Sequence, residues 1–372
     1  MRIGIDGHFL GSKTGGNETL TESLLCSLLD LSPQHQFVVF YTHGDYHPGE
    51  LAARGNAEFV RIRPGNAIWR QVCGLGLAAR RSRVDVLLAQ YWTPFLFPGS
   101  RQVQTILDVG HRYYPHHFTP RIRLQLETAI RSGIYRSKSI ITISEYAKQT
   151  IVESYRIAED RVSVAHLGVD RNFFRPVAAE DTESVKKRLG LPARYLLYVG
   201  NLMPRKNVTG LIRALAILKR KRSLAHSVVV VGRKRWLTEE IYRCADSLDV
   251  AGDLVFTGYV DRKDLPAVYC GADLHVLPSF FEGFGLTLLE SMACGTPVAA
   301  ANATSIPEVA GDAALLFDPS DSEEIANTIS SIINDPGLRD DLISRGRRRA
   351  ELFSWSRCAE KITKTLIETA RS

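Results

Sequence analysis

The chain has 372 residues, 45% hydrophobic and 23% charged, with a formal net charge of +7. These proportions belong to a folded globular protein and exclude a disordered chain, and the length favours two domains over one core. The six cysteines, Cys26, Cys73, Cys244, Cys270, Cys294 and Cys358, are scattered, which excludes a zinc site or disulfide framework of paired spacing and suits the reduced thiols of a cytosolic protein.

RIGID near the start reads as a strand, with no long apolar leader before it. No apolar run in the chain reaches the roughly 18 residues of a membrane span, so a cytoplasmic protein is expected. A loop ending in Gly15 and Gly16 leads from RIGID into the helical pattern TLTESLLCSLL. FVVFYT, EFVRI, VLLAQ, QTILDV, IITIS and VSVAHLG follow as apolar runs bounded by turn residues, several separated by helical periodicity.

Residues 1–175 carry 21 Lys and Arg against 15 Asp and Glu, so the first half holds nearly all the excess charge. Part of it lies in RIRLQLETAIRSGIYRSK, where Ile122, Leu126, Ile130 and Ile134 recur at four-residue spacing. That pattern suits a core-facing helix with a solvated basic back. The alternative is a basic surface that meets anionic lipid headgroups, at the inner face of a membrane, or a phosphorylated acceptor. Nucleic acid is not expected as a partner, because none of its recognition motifs is present.

A polar stretch from about Asp170 to Pro192, with RPVAAEDTES inside it, reads as a connection between domains. The strand pattern then restarts with YLLYVG, SVVVVG, LVFTG, LHVLP, VAAAN and ALLFD. Strands alternating with helices predict parallel, doubly wound α/β sheets, and the restart predicts two of them, over 1–175 and 190–354.

In such sheets ligands bind beyond the carboxyl ends of the strands, where helix N-termini offer backbone N–H groups to anions. YLLYVG runs through Gly200 into Arg205 and Lys206, two cations suited to a diphosphate. If that diphosphate leaves during the reaction, both cations gain interaction as charge develops on it. SFFEGFGLTLLESMACGTPVAA, residues 279–300, reads as a turn, a helix from Leu286 to Cys294 and a strand. Glu290 would sit one turn into that helix and lean toward its N-terminus, within reach of vicinal hydroxyls, while Glu282 in the turn lies nearer the reacting centre. Two carboxylates on one segment approach a ligand from one side, which argues against glycoside hydrolysis, where they must flank one bond. CGLGLA at Cys73 to Ala78 does not follow a strand, so it makes a poor dinucleotide fingerprint. His8, His43, His47, His116 and His117 lack ligand spacing, and no Asp-x-Asp metal motif is present.

These motifs together resemble the family-4 retaining glycosyltransferases of GT-B fold, especially bacterial mannosyltransferase-like members that build surface polysaccharides. The resemblance runs from RIGIDGHFL through ITISEYAKQTIVE and VSVAHLGVD to FSWSRCAEKI, and its most specific piece is the E-x7-E element from Glu282 to Glu290. GNLMPRKN, LVFTGYV and IPEVAGDAALLFDP add further matches. It implies two Rossmann-like domains facing a central cleft, a last helix at about 355–372 that returns to the first domain, and domain closure over the donor. It also implies transfer of a hexose, with GDP-mannose the first guess and UDP sugars the second, from a nucleotide-sugar donor to a glycan or lipid-linked acceptor. The expected course is retention by front-face displacement, without a metal or other cofactor.

Carried over by position, Arg205 and Lys206 would hold the donor diphosphate, Glu290 the ribose, and Glu282 the donor sugar. Amides around Gly283, Gly285, Leu286 and Thr287, together with Gly200, would line the phosphates and sugar. Gly16 would approach from the first domain, and Tyr259 and Val260 would lie near the base. On the acceptor side many relatives carry a His-Asp pair, whereas this chain reads QTILDVGHRYYP, with Leu107 in place of the histidine. Asp108 and His111 remain as acceptor-side candidates, His111 being also readable as a structural loop histidine. The missing histidine motivates one rival, a subunit that binds nucleotide sugars without transferring them; a second rival is a nucleotide-sugar epimerase on the same fold.

Overall fold

A computed structural model describes residues 1–12, 16–222 and 224–371. The chain divides into two units, one formed by Met1–Gly168 with the helix Trp355–Arg371, the other by Val169–Ser354.

Among the described residues the first unit holds seven parallel strands: β1 (Arg2–Asp6), β2 (Gln36–Tyr41), β3 (Ala57–Arg61), β4 (Val86–Gln90), β5 (Gln102–Thr105), β6 (Ser139–Thr142) and β7 (Val162–Val164). Their order is β3-β2-β1-β4-β5-β6-β7, so the winding reverses between β1 and β4. Every residue of β4 is buried, as a central parallel strand covered on both faces requires. The helix Trp355–Arg371 belongs here despite its place in the sequence. It buries Trp355, Cys358, Ala359, Ile362, Leu366 and Thr369 at helical spacing against β4, β5, β6 and the helix Gly16–Leu31. Thr369 and Ser139 of β6 share a hydroxyl hydrogen bond of 2.9 Å.

The second unit holds β8 (Tyr195–Val199), β9 (Ser227–Val231), β10 (Leu254–Gly258), β11 (Leu274–Leu277), β12 (Val298–Ala301) and β13 (Leu315–Phe317), in the order β10-β9-β8-β11-β12-β13, again all parallel. The winding reverses between β8 and β11. Among the described residues no helix is long and apolar enough to cross a membrane.

One expectation needs correction. The polar stretch expected to connect the domains instead contains the helix Ala179–Leu189, packed on the helix Leu265–Cys270 of the second unit, and the division falls at Gly168. The basic segment is the helix Pro120–Arg136, started by a Thr119 cap with Pro120 in its first turn. Ile130 and Ile134 enter the core with Ile106, Val109 and Ile140. Its outward side carries Arg121, Leu124, Arg131 and Tyr135, with Leu124 69% and Tyr135 83% exposed.

Candidate active site

The reversal between β8 and β11 is where a doubly wound sheet opens a crevice. The loop after β8 contains a short turn, Pro204–Lys206, and then Asn207 in left-handed conformation as cap of the helix Val208–Arg220. The Asn207 side chain accepts from the Gly210 N–H and donates to the carbonyls of Pro278 and Pro319, tying this loop to the segments after β11 and β13. On its other side the loop is laced to the one after β9: Leu202 N–H donates to the Arg233 carbonyl at 2.9 Å and Arg235 N–H to the Leu202 carbonyl at 3.1 Å.

Arg205 and Lys206 leave this loop toward the segment after β11. The Arg205 guanidinium donates to the Phe281 carbonyl at 2.7 Å, and the Phe280 N–H returns a bond to the Arg205 carbonyl at 2.9 Å. Glu282 is buried between the two cations, its Oε1 2.5 Å from Lys206 Nζ and its Oε2 3.7 Å from Arg205. Ser279 Oγ donates to the same Oε1 at 2.8 Å, and Thr304 and Ser305 hold the Glu282 backbone at 3.1 and 3.0 Å. Burial alone would raise the Glu282 pKa, but Lys206, Arg205 and the Ser279 bond hold it below the ordinary value, so the group is a carboxylate.

Gly285, at φ +99°, turns the chain into the helix Leu286–Cys294. That conformation is costly for any residue with a Cβ. Among the described residues no side chain caps this helix, so the amides of Leu286 and Thr287 at its first turn are left to a ligand or water. Gly295 closes the helix in left-handed conformation.

Glu290 lies in that helix, buried, its Oε2 accepting from the Tyr269 hydroxyl at 2.8 Å. Burial pushes its pKa up to about 7, more than Tyr269 and Arg262 pull it down. This folded value lies above the ordinary 4.5, so the stabilisation from holding the proton is complete below pH 4.5 and is lost as pH rises through 7. Glu290→Gln keeps an acceptor for Tyr269 without a titrating charge. Its stability is expected to match that of the wild type at pH 4.5 and exceed it by up to about 3 kcal/mol at pH 8.5. Urea denaturation at both pH values checks this, and a difference that does not grow with pH rejects it.

After β10, Tyr259 is 47% exposed with the Arg233 guanidinium 4.5 Å above its ring, while Val260 is buried. The carboxyl edge of this sheet therefore carries Gly200, Arg205, Lys206, Arg233, Tyr259, Glu282, Gly283 and Gly285.

The first unit carries the acceptor-side candidates. Gly16 begins the helix Gly16–Leu31, and among the described residues a Cβ there would meet nothing within 4 Å; Gly15 lies outside the described residues. Asp108 accepts from the Gly110 N–H at 3.0 Å, and Leu107 is buried. His111, readable as an acceptor-side residue or as a structural loop histidine, is 2% exposed, with Nε2 3.0 Å from Glu127. Glu127 also accepts from Arg112, Arg131 and the Tyr155 hydroxyl, so His111 belongs to a packed polar node rather than a presented surface. Burial lowers its pKa against the pull of Glu127.

A cluster absent from the sequence reading lies at the β1/β4 reversal. Asp6, fully buried at the end of β1, is 2.9 Å from Arg70 and 3.0 Å from His8 Nδ1, and Gln90 Nε2 donates to its carbonyl at 3.0 Å. Burial would raise the Asp6 pKa, but His8 and Arg70 bring it to about 2. The one sequence signal was a carboxylate closing an apolar strand at the ligand-binding edge. Among the described residues no group of three or more His, Cys, Asp or Glu is arranged to hold a metal.

Two family models match the chain: "Glycosyltransferase Family 4" over residues 14–173 and "Glycosyl transferases group 1" over residues 180–349. The chain is 32% identical over 259 residues to the O-antigen chain mannosyltransferase B of Escherichia coli, covering 69% of this chain and 68% of that protein. The chain belongs to the family-4, group 1 glycosyltransferases. Another member, the serotype-specific mannosyltransferase WbdA of Escherichia coli, is 33% identical over 227 residues, a match spanning 60% of this chain and 28% of WbdA. The two-sheet GT-B fold is shared with sucrose-phosphate synthase from Thermosynechococcus elongatus (TM-score 0.77, 19% identity, 99% and 98% of the two chains). It is shared equally with Anabaena HepE, solved with UDP and glucose (TM-score 0.74, 19% identity, 99% and 100%). Family membership makes glycosyl transfer the reaction class.

Proposed function

We propose that this glycosyltransferase moves a hexosyl group, mannose from GDP-mannose, with retention onto a glycan or lipid-linked acceptor. The observation that supports this most is the meeting of Arg205, Lys206 and Glu282 at the β8/β11 reversal, on the same edge as the open N-terminus of the helix Leu286–Cys294. Cations and helix amides suit a diphosphate whose charge grows as the bond from the sugar C1 to phosphate oxygen breaks. The acceptor oxygen forms the new bond on the same face, and its proton passes to the departing phosphate oxygen. Glu282 orients the sugar hydroxyls, and Glu290 accepts from the ribose. The reading requires no metal. Incubation with GDP-mannose or UDP-glucose and a mannose-terminated oligosaccharide tests it. Release of GDP with transfer of labelled mannose is expected. Because Leu107 replaces the usual histidine, binding without turnover would instead favour a non-catalytic subunit; separately, a changed sugar released without acceptor would favour an epimerase.

The first unit is assigned the acceptor and, at the inner face of the membrane, an anionic lipid surface. Leu124 and Tyr135 offer apolar area beside Arg121 and Arg131. Sedimentation with phosphatidylglycerol vesicles is expected to fall at least threefold between 50 and 300 mM salt, by about the screening that such surface charges undergo. Binding that ignores salt would count against this.

A further inference from the structure

We infer that Arg233 is the residue that selects the nucleobase of the donor, and that it selects guanine over uracil. The inference rests on the donor-site reading above. Arg233 follows β9 and Tyr259 follows β10, neighbouring parallel strands, so both residues stand on the carboxyl edge that carries Lys206. From the end of β8 to the end of β10 is two strand spacings, about 10 Å, a distance a nucleoside bridges between its phosphate and its base.

The position of Arg233 is set by backbone. Its carbonyl accepts from Leu202, and Arg235 N–H reaches back to Leu202, so the loop holding Arg205 and Lys206 and the loop holding Arg233 form one ladder. Gly232 permits this contact, because a Cβ there would lie 2.0 Å from the Gly200 carbonyl oxygen. The guanidinium then rests 4.5 Å from the Tyr259 ring centre, a cation–π contact that favours its place over that ring. Among the described residues no carboxylate pairs with Arg233. A guanidinium is a planar fork, and with its donors unspent on a carboxylate it is suited to two adjacent acceptors in a plane. Guanine offers such a pair in O6 and N7, and the equivalent arginine contact is the commonest specific one to that base. Uracil has no such adjacent pair.

Titration calorimetry of the full chain with GDP and with UDP tests this. Wild type is expected to bind GDP more tightly than UDP. Arg233→Ala should weaken GDP by about 10-fold or more while UDP changes by less than about 3-fold, the range of one lost two-point base contact. Arg233→Lys keeps the charge without the fork and should lose selectivity in the same way. Equal weakening of both nucleotides by Arg233→Ala would overturn the inference, since it would place the guanidinium on phosphate. A wild type that binds both nucleotides equally would overturn it too. If neither nucleotide binds the wild type, the donor-site reading falls along with the inference, whereas binding with unchanged selectivity sinks the inference alone.

Discussion

Replacing Lys206 by Ala is expected to lower glycosyl transfer by about 100- to 1000-fold, the usual cost of one charge-stabilising donor in a closed site. The same change leaves Glu282 buried with Arg205, 3.7 Å away, as its nearest remaining cation. A buried charge stripped of its partner destabilises strongly, by about 3 kcal/mol here. Glu282 separates these two consequences. In the double variant Lys206→Ala with Glu282→Gln the orphaned charge disappears, so the melting temperature should return most of the way to the wild-type value while transfer stays lost. Melting curves and initial rates on the three proteins decide it. If Lys206→Ala binds GDP with unchanged affinity, its diphosphate role is rejected; if the double variant melts as low as the single, the ion pair does not account for the instability. The acid side has a fixed sign. Glu282 has a folded pKa below its ordinary value of 4.5, so its contribution is present above pH 4.5 and is lost as pH falls through the folded pKa.

Gly232→Ala is expected to be the most damaging single methyl group in the second unit. The added Cβ would sit 2.0 Å from the Gly200 oxygen and 2.6 Å from its carbonyl carbon, both backbone atoms with no rotamer to give way. The loops after β8 and β9 would have to part, breaking the Leu202 and Arg235 bonds. A loss of about 3 kcal/mol or more is expected, roughly 6–12 °C in melting temperature for a unit of this size. Nucleotide affinity should fall with it, because Arg233 and Lys206 ride on the two separated loops. Gly252→Ala, where a Cβ meets nothing within 4 Å, serves as control and should leave both readouts unchanged. Wild-type melting in Gly232→Ala would show that the loops are not pressed together.

The sheets were legible in the sequence because central parallel strands are buried on both faces and appear as short apolar runs between turns, as VLLAQ and SVVVV do. The helix Leu286–Cys294 was legible for a different reason: glycines stand at both of its left-handed ends. The helix Ala179–Leu189 was hidden because its buried positions include Thr182 and Lys186, so no apolar stripe marks it. Glu282 and Lys206 are 76 residues apart, and only the rule that a parallel sheet gathers its loops on one edge brought them together in advance. The Asp6 cluster had no such help. Arg70 reaches Asp6 across 64 positions from an irregular helical segment, and nothing local in RPGNAIWR announces a buried guanidinium. His111 was open in the sequence to two readings, acceptor contact or structural loop histidine, because its partner Glu127 lies 16 residues on and nothing local in DVGHRYYP names it.

The helix Trp355–Arg371 bears on the order in which the molecule is made. Its apolar side covers β4, β5 and β6, which leave the ribosome well before it does. The second unit, continuous from Val169 to Ser354, is free to reach its native state while the earlier sheet still waits for a missing wall. The part translated first is thus completed last, and until then its unfinished flank is the surface on which chaperones or premature self-association would act.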